Sequence, residues 1–417
     1  MTSVILLIAG ASAFLFLRKG EMFLMLLSFA LIFLCGILLG GIFEKLKLPR
    51  LLGMLLVGIV LGPHTLNLID SSVLSISADL RQIALIIILA RAGLNLDTSD
   101  LKKVGRPAIL MCFVPACFEI AGMLLLAPKI LGISLAEAAV LGTVIAAVSP
   151  AVVVPKMLKL MDEGYGTDKG IPQLILAGAS VDDVFVIVLF TSCTGLAAGG
   201  SFSALNLIKI PTAIIFGILG GIICGLALKF VFQKMKIRDS LKILVILSAA
   251  FLLVTLEHSV TGAVGFSGLL AVMSMGITLR KSVSDTAGRL SAKLSKLWVG
   301  AEILLFVLVG AAVDIKYAMQ SGAAVIALIL GALIFRMLGV LVCLIRTPFS
   351  RRERAFCMLA YTPKATVQAA IGSIPLSMGL SCGNIVLTAA VTAILITAPL
   401  GAFAIDMTYK KWLTKTE

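Results

Sequence analysis

The chain has 417 residues, of which 60% are hydrophobic and only 13% are charged. Soluble domains use about 45–50% apolar and about 25% charged residues, so the composition excludes a soluble globular protein and indicates a membrane protein. The formal net charge of +14 comes from Lys and Arg in short connections between apolar runs, so we expect no nucleic-acid partner. No phosphate-binding GxxxxGK[ST] loop is present, and we expect neither a cofactor nor ATP-driven transport.

Apolar runs long enough to cross a bilayer recur along the whole chain. A hydrocarbon core of about 30 Å requires roughly 20 apolar residues in a helix, whereas β-barrel strands are shorter and alternate in polarity. We therefore predict one all-α polytopic membrane domain over 1–417, with about fourteen transmembrane helices. The predicted segments are 4–17, 22–43, 50–68, 78–96, 107–127, 135–160, 171–198, 206–232, 241–257, 262–279, 297–317, 322–345, 354–380 and 384–406.

The connections between these segments alternate in charge. Basic connections should face the cytoplasm, and the C-terminal residues Lys410, Lys411 and Lys415 place the C-terminus there too. Fourteen spans then put the N-terminus in the cytoplasm as well, and we expect the chain in the cell (inner) membrane. Arg18 and Lys19 are the exception to the pattern, and the other thirteen segments keep their orientation if the first does not span. The basic connections include Lys45, Lys102, Lys156, Lys234, Arg280 and Arg346.

Proline interrupts two segments near their middles. At membrane depth, the backbone groups that proline leaves unpaired are tolerated where they are buried in protein or line a wet cavity. Segments 135–160 and 354–380 are therefore predicted to be broken helices, the alternative being two unrelated kinks in ordinary spans. The residues at the breaks are Ser149, Pro150 and Pro155 in the first and Thr362, Pro363 and Thr366 in the second.

The two broken segments are seven segments apart and so cross the bilayer in opposite directions. Each is the second member of a triplet, which predicts inverted repeats and a substrate site near the bilayer midplane. The triplets are 107–127, 135–160 and 171–198, and 322–345, 354–380 and 384–406.

Few ionisable residues lie inside the apolar runs away from their ends. A charge at the bilayer centre costs at least about 2.5–3.5 kcal/mol, so each is a functional candidate that should face the bundle interior with a partner. His64 and His258 lie near segment ends without neighbouring ligands, and we expect neither a metal site nor a pH sensor there. The interior charges are Glu119, Asp182, Asp183, Arg336 and Lys364.

Asp182 and Asp183 are the most informative of these residues. Consecutive helical residues project about 100° apart, so the two carboxylates cannot share one narrow face. Because they repel each other, protons and a hard cation should compete for the same oxygens. An antiporter needs that competition, and the pair is the predicted site for transported sodium or lithium. The alternative is that both carboxylates pair with basic residues and only stabilise the bundle.

Three further charges have predicted partners. Glu119 and Arg336 occupy corresponding places in the two triplets, which predicts an ion pair of either structural or functional role. A guanidinium does not deprotonate in proteins, so Arg336 cannot carry protons, and exchange of one proton per sodium would be electroneutral. Lys364 lies inside the second break, where it would neutralise the negative end of a half-helix facing the first break. Its alternative is to snorkel toward an interface.

Several motifs along most of the chain resemble those of the cation/proton antiporters. The motifs are LPRLLG at 48–53, LGP at 61–63, RAGL at 91–94, SPAVVVP at 149–155, GASVDD at 178–183 and PKATVQAA at 363–370. Within that family they are similar to the NHA-type sodium/proton exchangers, which are related to the bacterial NapA and NhaA proteins.

The resemblance implies a homodimer with elevator-like alternating access in an NhaA-like fold. Dimerisation or scaffold helices would lie at about 1–96 and 206–317, and crossed broken helices would lie in a core at about 107–198 and 322–406. Asp183 would be the ion-binding carboxylate and Asp182 its partner. Arg336 matches a lysine of electrogenic relatives, Glu119 its salt-bridge partner, and Lys364 the lysine of the second crossing.

The chain departs from many relatives at the first break. It has Val148, Ser149 and Pro150 where Thr-Asp-Pro is common, which leaves open the third cation ligand and the charge balance. The extra first segment resembles the fourteen-helix animal branch.

Three other functions compete with sodium/proton exchange. A potassium/proton antiporter would differ only in cavity geometry. An organic-anion symporter of the same inverted-repeat plan would need bases and half-helix N-termini aimed at a carboxylate. An intramembrane protease places its two acids on different helices, so adjacent aspartates favour a transporter over an enzyme.

Overall fold

The computed structural model describes residues 21–46, 48–95, 105–198, 204–234, 237–260 and 265–415. In these ranges the regular structure is helical, apart from one isolated bridge between Tyr165 and Lys415. The predicted segment 4–17 and the side chain of His258 lie outside the described residues.

The described residues form eighteen helices. The first nine are α1 (Glu21–Lys45), α2 (Arg50–Leu61), α3 (Ser71–Ser75), α4 (Ser77–Asn95), α5 (Arg106–Met111), α6 (Val114–Leu131), α7 (Leu135–Ile145), α8 (Pro150–Asp162) and α9 (Ile171–Ala197). The others are α10 (Ala204–Lys234), α11 (Asp239–Ser259), α12 (Gly268–Ser282), α13 (Ser284–Ala311), α14 (Ile315–Cys343), α15 (Arg351–Ala360), α16 (Thr366–Ile371), α17 (Ile374–Ser377) and α18 (Gly383–Trp412).

Within the described ranges, nine helical stretches are long and apolar enough to cross a membrane. Each overlaps a predicted segment, which confirms the prediction of an all-helical polytopic membrane protein. The predicted bounds 297–317 are wrong, because residues 284–296 are helical despite their charged side chains and the helix ends at Ala311. The stretches are Leu24–Lys45, Arg106–Leu131, Leu135–Asp162, Ile171–Ala197, Thr212–Lys234, Asp239–Glu257, Ser284–Ala311, Gly322–Cys343 and Gly383–Trp412.

Predicted segments 50–68 and 262–279 are shorter in the structure. Helix α2 has only 12 residues and ends at Leu61, where the Gly62 amide donates to the Gly58 carbonyl. Pro63 follows, and the chain folds back so that the Leu68 amide donates to the Leu61 carbonyl. Helix α12 has 15 residues. The prediction of a helix continuing to residue 68 is therefore wrong, because a Gly-Pro pair ends it.

Both predicted broken helices are interrupted in the structure. Residues 146–149 separate α7 from α8, and residues 361–365 separate α15 from α16. Pro155 lies inside α8 and does not belong to the first break. Pro155 removes one hydrogen bond inside α8 without ending the helix. The interruption lies before Pro150, which occupies the first position of α8.

Close helix crossings hold the remaining helices together. Helix α13 packs against α2 and α4, and α12 packs against α10 and α4. A Cβ atom at Gly58 would overlap the Val307 carbonyl of α13, so only glycine permits that crossing. Among the helices of the two predicted triplets, α14 packs against α6 and α18, and α9 packs against α7 and α8.

Candidate ion-binding site

The two helix breaks contact each other directly. The Ser149 amide donates to the Pro363 carbonyl at 2.8 Å, and the Thr366 amide contacts Ser149 Oγ at 3.4 Å. The Val148 amide donates to Asp182 Oδ2 on α9 at 2.8 Å. These contacts satisfy backbone groups that the interrupted helices leave unpaired, as burial at membrane depth requires.

The break residues predicted from sequence do not all take part in this contact. Ser149, Pro363 and Thr366 meet, and Pro150 begins α8 beside them. The Thr362 hydroxyl instead donates to the Leu359 carbonyl of its own turn at 2.8 Å. Pro155 lies inside α8. Among the described hydrogen bonds, neither Thr362 nor Pro155 forms one that joins the two breaks.

Arg336 of α14 joins both breaks and two carboxylates. Its Nε donates to the Tyr361 carbonyl at 2.6 Å, and its Nη1 donates to the Ala146 carbonyl. Nη1 also donates to Glu119 Oε2 at 2.8 Å, and Nη2 donates to Asp182 Oδ2 at 2.9 Å. The predicted ion pair between Glu119 and Arg336 is therefore present. The guanidinium also stabilises the C-terminal carbonyls of α7 and α15, which carry partial negative charge.

Lys364 has a partner that the sequence did not indicate. Its Nζ donates to Glu119 Oε2 at 2.6 Å, and its backbone amide donates to Thr397 Oγ1 at 2.8 Å. The side chain is completely buried, so it does not snorkel. Arg336 and Gln368 bind the carbonyls of Ala146 and Ala147 just after α7, where the sequence predicted Lys364. The Lys364 ammonium group binds Glu119 instead.

Gln368 of α16 is a site residue that sequence reasoning missed. Its Nε2 donates to the Ala147 carbonyl at 2.9 Å and lies 3.2 Å from the carbonyls of Val144 and Ile145. The side chain is completely buried, and its Oε1 has no hydrogen-bond partner within the described part of the chain. The available signal was an amide inside an apolar stretch just after the second break, because buried amides need partners.

Asp183 differs from every other charge in the cluster. The residue is 8% exposed, and its Oδ1 has no hydrogen-bond partner among the residues that the structure describes. Within the part of the chain that the structure describes, Asp183 forms no ion pair. In the described ranges, Glu119 Oε1 and Asp182 Oδ1 also have no hydrogen-bond partner, although the second oxygen of each carboxylate is bonded.

The formal charges of the four connected residues cancel. Glu119 and Asp182 are matched by Arg336 and Lys364, and all four are completely buried. Asp183 is then the one carboxylate of the cluster without a compensating charge. A buried, unpaired carboxylate is costly and needs a proton or a cation to neutralise it.

Interrupted helices that meet around buried charges in a polytopic helical membrane protein are typical of secondary transporters. A family model described as "Sodium/hydrogen exchanger, transmembrane" matches residues 29–411. The chain belongs to this sodium/hydrogen exchanger family.

Individual relatives agree with the family assignment. Sodium/hydrogen exchanger 9B2 of Mus musculus is 33% identical over 413 residues, covering 94% of this chain and 74% of the relative. The Homo sapiens protein of the same name is 33% identical over 415 residues, covering 94% of this chain and 76% of the relative. These matches confirm the resemblance to cation/proton antiporters.

A solved structure shares the fold. The sodium proton antiporter MjNhaP1 from Methanocaldococcus jannaschii superposes with a TM-score of 0.82 at 22% sequence identity. The match covers 94% of this chain and 99% of that chain. The architecture is therefore that of a polytopic membrane antiporter.

Proposed function

We propose that this protein exchanges sodium or lithium for protons across the cell membrane, with Asp183 as the ion-binding carboxylate and Asp182 as its partner. The names of its relatives support sodium and protons as the exchanged ions. The observation that carries the assignment of the site is the unpaired Asp183 beside four charges that neutralise one another.

Coupling follows from competition for one carboxylate. Sodium is a hard cation that prefers oxygen ligands, and the same oxygens accept a proton. Either ion neutralises Asp183, so each excludes the other, whereas an empty site leaves an uncompensated charge at membrane depth. The carboxylate therefore crosses the membrane loaded with one ion or the other. The oxygen Oδ1 of Asp182, which also has no hydrogen-bond partner among the described side chains and backbone groups, is available to the cation.

The charge balance supports electroneutral transport. Arg336 stays charged and is fixed by four acceptors, and Lys364 is held by Glu119. Only Asp183 then changes its occupant, so one proton moves for each sodium. The first break has Ser149 where many relatives have an aspartate. No carboxylate at residues 146–149 can therefore add to the number of protons exchanged per sodium.

The remaining expectations from the sequence extend this proposal. The protein works as a transporter and not as an enzyme. It is a homodimer whose subunits each have fourteen transmembrane helices with inverted repeats, and both termini lie in the cytoplasm. Its core at about 107–198 and 322–406 moves past scaffold helices at about 1–96 and 206–317. The direct contact of the two breaks supports a core that moves as one unit, because Ser149 of the first break is hydrogen-bonded to Pro363 of the second and contacts Thr366 at the start of α16.

The proposal is tested with purified protein in proteoliposomes that contain a pH-sensitive dye. Pulses of sodium, lithium or potassium at equal ionic strength are compared, with and without a clamped membrane potential. We expect proton movement driven by sodium or lithium that does not depend on the potential. Potassium-driven exchange would support the potassium/proton alternative, potential-dependent exchange would reject the stoichiometry, and no cation-coupled proton movement would reject the proposal.

A further inference from the structure

Gln368 and Asp182 bind opposite sides of one peptide group in the first break. Gln368 Nε2 donates to the Ala147 carbonyl at 2.9 Å, and the amide of Val148 donates to Asp182 Oδ2 at 2.8 Å. The carbonyl of Ala147 and the amide of Val148 belong to the same planar trans peptide, so they point in opposite directions. A continuous chain of hydrogen bonds therefore leads from Gln368 through this peptide group to Asp182.

We propose that Gln368 is a positioning residue that sets the affinity for the transported cation by fixing the peptide group between Ala147 and Val148. The inference rests on the proposed exchange of ions at Asp183. The peptide lies between α7 and α8, outside both helices, so its orientation depends on its partners. Hydrogen bonds in series also polarise one another, and the Gln368 bond strengthens the donor that holds Asp182.

The orientation of the Gln368 amide supports this role. Its NH2 group faces three carbonyls at the end of α7, from Val144, Ile145 and Ala147. The C-terminal carbonyls of a helix lack intrahelical partners and carry partial negative charge. Without Gln368 these carbonyls would lie unpaired close to the carboxylates. A side chain that contributed only volume would not require an amide at this buried position.

The effect reaches the bound ion through Asp182. Asp182 Oδ2 accepts hydrogen bonds from Arg336 at 2.9 Å and from Val148 at 2.8 Å. These two donors together determine the position of the carboxylate beside Asp183. A peptide group free to rotate would leave Asp182 held by Arg336 alone, and the oxygens available to sodium would be less well ordered.

Two substitutions separate positioning from direct ligation. Gln368→Met keeps similar volume but removes the amide, and Gln368→Glu keeps the shape but replaces the NH2 donor by an acceptor. The control is Thr143→Val, because the buried Thr143 hydroxyl donates to the Ala139 and Val140 carbonyls of its own helix, α7. Each purified variant is assayed for sodium-driven proton movement in proteoliposomes, and its melting temperature is measured with and without sodium.

We expect Gln368→Met and Gln368→Glu each to raise the apparent KM for sodium about five- to tenfold, the order of one net hydrogen bond. The maximal rate should change less than about twofold, because ion binding and not the conformational step is affected. Thr143→Val should stay within about twofold of the wild type in both quantities.

Distinct outcomes would overturn the inference. An unchanged KM in both variants shows that Gln368 does not act on the site. Tighter sodium binding by Gln368→Glu together with weaker binding by Gln368→Met would instead make Oε1 a direct cation ligand. If Gln368→Met does not yield folded protein, the KM of Gln368→Glu decides between these results. Absence of exchange in the wild type itself would reject the proposed function and not only the role of Gln368.

Discussion

Asp182 accepts a hydrogen bond from Arg336 Nη2 at 2.9 Å, and both side chains are completely buried. The adjacent Asp183 has no partner for its Oδ1 and no ion pair among the described residues. The two neighbouring carboxylates thus have different environments, because they project in different directions from α9. Substitutions at the two positions should therefore have different consequences.

Asp183→Asn should abolish sodium-driven proton exchange while leaving the protein folded. The amide is similar in shape but cannot take up the exchanged proton, and it removes the charge that a cation would neutralise. Dye-reported proton movement in proteoliposomes measures the effect. Asp285→Asn, at an exposed carboxylate in the first turn of α13, is the control and should exchange normally. Wild-type rates in Asp183→Asn vesicles would refute the site assignment.

Arg336→Lys should retain exchange but lower the stability of the protein. Arg336 donates to four acceptors from three nitrogen atoms, Nε, Nη1 and Nη2. The single ammonium group of a lysine cannot reach all four acceptors. A lysine can also deprotonate, so exchange is expected to become sensitive to the membrane potential. The measurement is exchange with and without a clamped potential, together with the melting temperature. Exchange that is independent of the potential in the variant would show that residue 336 does not determine the stoichiometry.

Glu119→Gln should reduce the free energy of unfolding by about 3–5 kcal/mol, because Arg336 keeps Asp182 as a counter-charge but the buried Lys364 loses its ion-pair partner. The double variant Glu119→Gln/Lys364→Met should recover part of this loss, since it removes the cation left unpaired and keeps the pair of Arg336 with Asp182. Melting temperatures in detergent report both effects. Glu44→Gln is the control, because the Glu44–Arg50 pair is exposed, and such pairs contribute only about 0–1 kcal/mol. Equal melting temperatures for Glu119→Gln and Glu44→Gln would contradict the prediction.

The sequence predicted the parts of this site that depend on rare residues. Charges inside apolar runs identified Glu119, Arg336 and Lys364, and the structure brings all three into one cluster. The prolines located both interruptions, because proline has a local effect on the helix that contains it. The correspondence between the two triplets was enough to predict the pair of Glu119 with Arg336 across 217 residues.

The contacts that sequence reasoning missed depend on the backbone and on tertiary packing. Arg336 binds carbonyls of Ala146 and Tyr361, and a carbonyl is present in every residue, so no side-chain pattern marks it. Lys364 meets Glu119 over a separation of 245 residues, which only the fold determines. The length of α2 was overestimated because hydropathy continues past the Gly-Pro pair that ends the helix.

Gly178→Ala should destabilise the protein and slow exchange, because Gly178 of α9 leaves room for Tyr361. A Cβ at this position would lie 2.5 Å from Tyr361 Oη and 2.8 Å from Met111 Cβ. The Tyr361 hydroxyl donates to the Met111 carbonyl at 2.9 Å, and the Tyr361 carbonyl accepts from Arg336. Displacing the ring would therefore shift an acceptor of the arginine that holds Asp182.

The expected cost of Gly178→Ala is about 1–3 kcal/mol, as for other overpacked positions. Gly195→Ala is a matched control on the same helix, because no atom of the described residues lies within 4 Å of a Cβ built at Gly195. Alanine lowers the conformational entropy of the unfolded chain relative to glycine, so that variant should be neutral or more stable by about 0.5–1 kcal/mol. The difference in melting temperature between the two variants isolates the contact with Tyr361 from the general effect of replacing glycine in α9. Equal melting temperatures and equal exchange rates would show that Tyr361 moves without cost and that its position does not control Arg336.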